Sequence, residues 1–193
     1  MFVFEKLLYW LSSGLLAPVM VAVVFFLVRG LVLIGKLYGV YAERLKYIRR
    51  LDEEINRLTP ETIDGLAALP ASKTLLAQAV RRLWEHRGEK IFGTKIVADF
   101  EVECEKDLDR SRTLSKTGPM LGLMGTLIPL GPALAGLADG DIAVMSRQMQ
   151  IAFNTTVVGL AIGAMGYLTL QTKQRWYAAD LNRLDFINDM INK

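Results

Sequence analysis

The chain has 193 residues, of which 52% are hydrophobic and 22% charged, and its net charge is +3. That length fits one domain with at most an appendage. The small charge excludes a nucleic-acid-binding patch, because basic residues alternate with acidic ones, and the single cysteine excludes an intrachain disulfide.

The averages conceal a segregation. Charges concentrate in residues 36–116 and 173–193, while three apolar runs are nearly free of them. This is the pattern of a membrane protein with a sizeable polar region. Cys104 lies within Glu-Val-Glu-Cys-Glu-Lys, where neighbouring carboxylates disfavour a thiolate. His86 has neither Cys nor His company and reads as a surface residue. No nucleotide loop, catalytic triad or zinc spacing occurs, so no cofactor or metal and no enzymatic activity is expected.

Residues 1–13 are apolar, with Tyr9 and Trp10 and one Glu5/Lys6 pair. They read as a short interfacial helix with aromatic residues at headgroup level. A signal peptide is the competing reading, but the positive n-region is weak and a small-residue cleavage site is lacking.

The first span covers residues 14–35. Arg29 interrupts it near one end, where it reaches the headgroups with Lys36 beyond. An ion-pathway role for Arg29 is the alternative.

Residues 36–116 read as an all-helical cytoplasmic region. Lys46–Leu58 is a charged amphipathic helix, and Thr59-Pro60-Glu61 resembles a helix start. Pro70 marks a break. Residues 71–87 carry Leu75, Leu76, Ala79, Val80, Leu83 and Trp84 at helical spacing, and His86-Arg87-Gly88 ends the pattern. A further helix covers residues 91–114, with Ile96, Phe100 and Leu108 on a face suited to a partner helix.

Residues 117–170 form a transmembrane hairpin. Its two apolar runs, GPMLGLMGTLIPLGPALAGL and IAFNTTVVGLAIGAMGYLTL, contain no Asp, Glu, Lys, Arg or His. The short link Ala138-Asp139-Gly140-Asp141 joins them. Residues 171–193, with Trp176, Leu181, Leu184, Ile187 and Ile191, continue the third span as a cytoplasmic helix.

Lys36, Lys116, Lys173 and Arg175 flank the spans on one side, against Arg147 with Asp139 and Asp141 on the other. The positive-inside rule then puts the N-terminus and the hairpin tip outside and the C-terminus in the cytoplasm. The expected architecture is an all-α integral membrane protein with three transmembrane helices and long cytoplasmic extensions.

At 100° per residue, Gly122, Pro129 and Ala133 fall within about 60° of Thr126, and Ala152, Gly159 and Gly163 within about 60° of Thr156. Each helix thus shows a stripe of small residues carrying one hydroxyl. Close helix packing explains the glycines, and back-bonding to Gly122 and Ala152 explains the hydroxyls. A polar pathway is the alternative. Pro129 and Pro132 remove backbone donors, so the carbonyls they release need partners in neighbouring helices, side chains or water. Asn154 lies roughly opposite Thr156 and suits a neighbouring helix or subunit. Ion transport usually needs a carboxylate at depth, and no span here holds one.

Gly122-Leu-Met-Gly-Thr126 resembles the G-x-x-G-T signature of the MotA/TolQ/ExbB proton-channel family, and Thr156-Val-Val-Gly-Leu160 its T-x-x-G-L signature. The likeness covers about residues 115–175, and the layout is similar to the three-span TolQ and ExbB branch. The resemblance implies a ring, taken to be a pentamer, around a single-span ExbD/TolR/MotB-like partner that carries the protonatable Asp. Ion flow, of protons or Na⁺, then drives the partner's motion. It places Thr126 and Thr156 at the two pathway threonines. The ion-pathway or partner-facing set is accordingly Thr126, Thr156, Gly122, Gly125, Gly159, Gly163 and Thr155, with Pro129 and Asn154 at interfaces. The implied setting is the cell inner membrane. A non-conducting scaffold whose small residues serve oligomer packing is the alternative, and a small-substrate transporter would need more polar residues at depth.

Overall fold

A computed structural model of the chain describes residues 2–55, 72 and 74–191. Its elements are α1 (Phe2–Ile55), α2 (Leu75–Glu85), α3 (Lys90–Ala138) and α4 (Ile142–Ile191). Three of the helices are long and apolar enough to cross a membrane.

The helices are longer than the sequence reading divides them. Residues 2–55, read as an interfacial segment, a span and a charged helix, form the single helix α1. Residues 91–114 and the second span are likewise one helix, α3. Pro18, Pro119, Pro129 and Pro132 all lie inside helices. Each releases one carbonyl without ending its helix, because in apolar surroundings breaking the helix would strand further backbone groups. The Thr59-Pro60-Glu61 start and the Pro70 break lie outside the described residues.

Polar side chains set the helix ends. Thr74 caps α2, accepting the Ala77 N–H at 3.3 Å. After α2, Gly88 takes the left-handed conformation at φ 84°. The tip between α3 and α4 combines two devices. Gly140 turns left-handed at φ 77°, and the Asp141 N–H donates to Gly136 O at 2.7 Å, a Schellman closure. Asp141 then caps α4, its Oδ1 accepting the Val144 N–H at 3.0 Å. The four-residue acidic link is therefore a complete stop and start signal.

The chain divides into two units, Met1–Ile34 with Ser111–Leu170, and Gly35–Arg110 with Gln171–Lys193. The first holds the apolar runs. Its core joins Val19, Val23 and Leu33 to Leu114 and Ile162, with Phe26, Leu27, Leu121, Ile128, Val158 and Met165 packed around them. Val21, Val24, Leu123, Leu127, Val157 and Leu168 point outward and are largely exposed. A unit apolar outside as well as inside is built for lipid.

The second unit has a core of the water-soluble kind. Tyr47 and Leu51 of α1, Leu76, Val80 and Leu83 of α2, Ile96 and Phe100 of α3, and Leu184 and Ile187 of α4 are buried together. Cys104 lies among them. Burial first, and the nearby Asp180, Asp107 and Glu103 carboxylates second, push its thiol up to about 12. The same burial raises the Tyr47 hydroxyl to about 12.

Ion pairs stitch the helices of this unit together. Arg44 grips the buried Asp180 carboxylate with its two terminal guanidinium nitrogens, and Nη2 also donates to Trp176 O at 3.1 Å. Burial holds the Asp180 carboxyl above the usual carboxylate range, although the Arg44 guanidinium pulls the other way. Arg183 donates to Asp52 at 2.8 Å.

Candidate functional site

Facing residues of the hairpin follow a simple register. A methyl group on Gly118 would meet Gly163 N at 2.6 Å, one on Gly122 would meet the Gly159 Cα at 3.2 Å, and one on Gly125 would meet the Thr155 Cβ at 2.6 Å. Numbers rise along α3 as they fall along α4, so the helices are antiparallel. Gly136 closes the seam near the tip against Val144 and Met145. Close approach of this kind needs residues without side chains on both helices.

The sequence-predicted residues divide between this seam and its margins. Gly122, Gly125, Gly159 and Gly163 lie within the seam, facing the other helix of the same chain, and Pro129 is buried there too. Their placement is the packing role that small residues serve in lipid. Thr155 is 3% exposed. Its hydroxyl lies 2.8 Å from Gly125 O, 2.9 Å from Ile151 O and 2.9 Å from Ala152 O. Asn154 is exposed, away from the seam.

Thr126 and Thr156 are half-buried at the seam's margin. Thr126 donates back to Leu123 O at 2.7 Å, one residue short of the Gly122 carbonyl expected, and Thr156 to Ala152 O at 3.2 Å as expected. Their placement follows from helix geometry. Gly125 and Thr155 face each other, and the next residue on each helix lies 100° further round. In an antiparallel pair of right-handed helices those two steps turn to the same side. Thr126 and Thr156 therefore share one face of the hairpin at one level.

The opposite side of the seam carries Leu114, Leu121 and Ile128 on α3, and Val158, Ile162 and Met165 on α4. These are the residues that join α1 to the hairpin. A methyl on Gly30 of α1 would meet Met165 and Leu114 at 3.1 and 3.3 Å. α1 thus covers one face of the hairpin and leaves the threonine face open. That open face is apolar around the two hydroxyls, with Leu123, Leu130 and Leu137 of α3 and Phe153 and Leu160 of α4 exposed. Among the described residues no His, Cys, Asp or Glu cluster suits a metal ion.

Comparison with known proteins decides the family. Residues 74–185 match the family model described as the MotA/TolQ/ExbB proton channel family. The chain belongs to the MotA/TolQ/ExbB proton channel family. The match begins at the cap of α2, so it takes in helices where the sequence likeness extended only to layout. A relative in Methanothermobacter thermautotrophicus, a candidate biopolymer transport protein described as an ExbB homolog, is 26% identical over 130 residues. The aligned stretch is 64% of this chain and 44% of that protein, so the chain spans less than half its length. With three apolar helices of spanning length, this MotA/TolQ/ExbB protein is a multi-pass membrane protein.

Proposed function

We propose that the chain is the ring-forming subunit of an ion-driven membrane complex, proton-powered, that works with a single-span partner of the ExbD, TolR or MotB kind. The partner supplies the protonatable Asp that the hairpin lacks. One observation carries this reading: Thr126 and Thr156 sit at one level on the face that α1 leaves uncovered. A partner helix lying there meets an apolar surface interrupted by two hydroxyls. Each hydroxyl accepts as well as donates, so each is suited to pass a proton to or from a carboxyl group. Copies of the chain form a homo-oligomer, a pentamer on the family's pattern, with their threonine faces turned to the partner.

The orientation follows the flanking charges, with the hairpin tip outside the cell inner membrane and the charged unit in the cytoplasm. The relative's description as a biopolymer transport protein points to biopolymer transport as the work that this complex powers.

A non-conducting scaffold is the second reading, and the seam favours it to this extent: glycines used for packing within the chain require no partner. The two readings separate in one experiment. The chain is purified with the single-span protein that accompanies it, its copies are counted by native mass spectrometry, and proton uptake is followed in vesicles with a pH-sensitive dye. A ring that dissipates a pH gradient only with the partner present supports the proposal. A ring that conducts nothing with it sinks the proposal and leaves the scaffold.

A further inference from the structure

Pro129 lies inside α3 and has no N–H, so the carbonyl four residues earlier, on Gly125, loses its helical donor. Gly125 is buried in the seam, where water does not replace that donor. The hydroxyl that reaches it belongs to Thr155 of α4, at 2.8 Å. Thr155 has one proton and three carbonyls in range. Two of them, Ile151 O and Ala152 O, already accept the helical N–H groups of Thr155 and Thr156. Gly125 O is the acceptor left without one, and the proton belongs there.

We infer that Thr155 is a positioning residue, an interhelical latch that satisfies the carbonyl released by Pro129 and so fixes the register of Thr126 against Thr156. The bond joins residues 125 and 155, each one step before a face threonine. Sliding α3 along α4 breaks it and moves the two hydroxyls to different levels. The adjacent threonines therefore divide the labour: Thr155 points into the seam and holds, and Thr156 points to the open face. The functional consequence rests on the proposed ring. The latch itself does not.

The test is a double-mutant cycle on the full chain in detergent, read by thermal unfolding, together with proton uptake by native membrane vesicles. Thr155→Val keeps the shape and removes the donor, and should lower Tm by roughly 3–8 °C. Thr155→Ser keeps the donor and should recover most of that loss. Pro129→Ala restores an N–H to Gly125 O, so adding Thr155→Val to that background should cost little in Tm or in uptake. Equal losses from Thr155→Val in the native and Pro129→Ala backgrounds would mean that Thr155 only fills space, and would overturn the latch. Full uptake by Thr155→Val alongside the expected Tm pattern would overturn its positioning role. Failure of the native vesicles to take up protons, with the Tm pattern intact, would count against the ring and support the latch.

Discussion

Lys173 of α4 places its ammonium 2.6 Å from the Asp107 carboxylate of α3, and Tyr177, one turn on, brings its hydroxyl to the same oxygen at 2.5 Å. Burial alone would raise the Asp107 pKa. The two hydrogen bonds, with the charges of Lys173 and Arg110, outweigh that and hold it below its ordinary value of 3.8. Burial and the Asp107 carboxylate together push the Tyr177 hydroxyl well up, so it stays a donor at any physiological pH.

A carboxylate held below its ordinary pKa binds fewer protons folded than unfolded. Its contribution to stability is complete above that ordinary value and is lost as pH falls through the lower folded one. Asp107→Asn should therefore cost about 1.5–3 kcal/mol near neutrality. The gap between native and variant should close as the pH is taken below 3.8. Unfolding followed by helical circular dichroism across that range measures both.

Arg44 and Asp180 should show the opposite pH response. Asp180 is 1% exposed on its side chain, so Arg44→Ala leaves a buried carboxylate with its main partner gone. A loss of about 3–5 kcal/mol is expected at neutral pH. Because burial already raises the Asp180 pKa, the cost of its charge is present above the folded value and disappears as pH falls through it. Mild acid should therefore stabilise Arg44→Ala relative to the native chain, which urea unfolding at two pH values would reveal.

The seam ranks its glycines. Gly159→Ala should be the damaging change, since the new methyl would sit 2.5 Å from the Gly122 Cα and 2.8 Å from Gly118 O, backbone that cannot step aside. Gly122→Ala meets its nearest neighbour at 3.2 Å and should cost less. Gly131→Ala has open space around it and should be neutral or gain up to about 1 kcal/mol from helix propensity. Tm values in one detergent, compared across the three, check the order.

Cys104 should be inert while the chain is folded. Its thiol is 5% exposed with a pKa of about 12, so almost none is thiolate near pH 8. A maleimide should label it only on addition of denaturant, and labelling of the folded protein would contradict the buried placement.

Much of this was legible in the sequence because it is periodic. The small residues at spacings of three and four on both runs show that the hairpin packs closely, and the G-x-x-G-T and T-x-x-G-L signatures point to the family. Periodicity fixes angles on one helix but not the register between two. Thr155 and Thr156 are only 100° apart, and which of them enters the seam depends on where Gly125 meets α4. The need for a partner at the Pro129-released carbonyl was readable, and the identity of that partner was not. The same holds for Arg44 and Asp180, which lie 136 positions apart in sequence. Helix continuity was read for α4 but not for α1 and α3, for a related reason: prolines and glycines that end helices in water are accommodated when neighbouring helices satisfy the backbone.

The central claim is that Thr126 and Thr156 line the path of a proton supplied by a partner's Asp. Its most direct test is partner-dependent proton uptake by the assembled complex carrying Thr156→Ala, alone and with Thr126→Ala. Subunit number is checked to be unchanged. Loss of one hydrogen bond to a charged group, about 1.5–3 kcal/mol, corresponds to a fall of roughly 10- to 100-fold in rate. The account predicts a fall of that size for Thr156→Ala, and partial recovery with Thr156→Ser. Native rates in an intact Thr126→Ala/Thr156→Ala ring would contradict it.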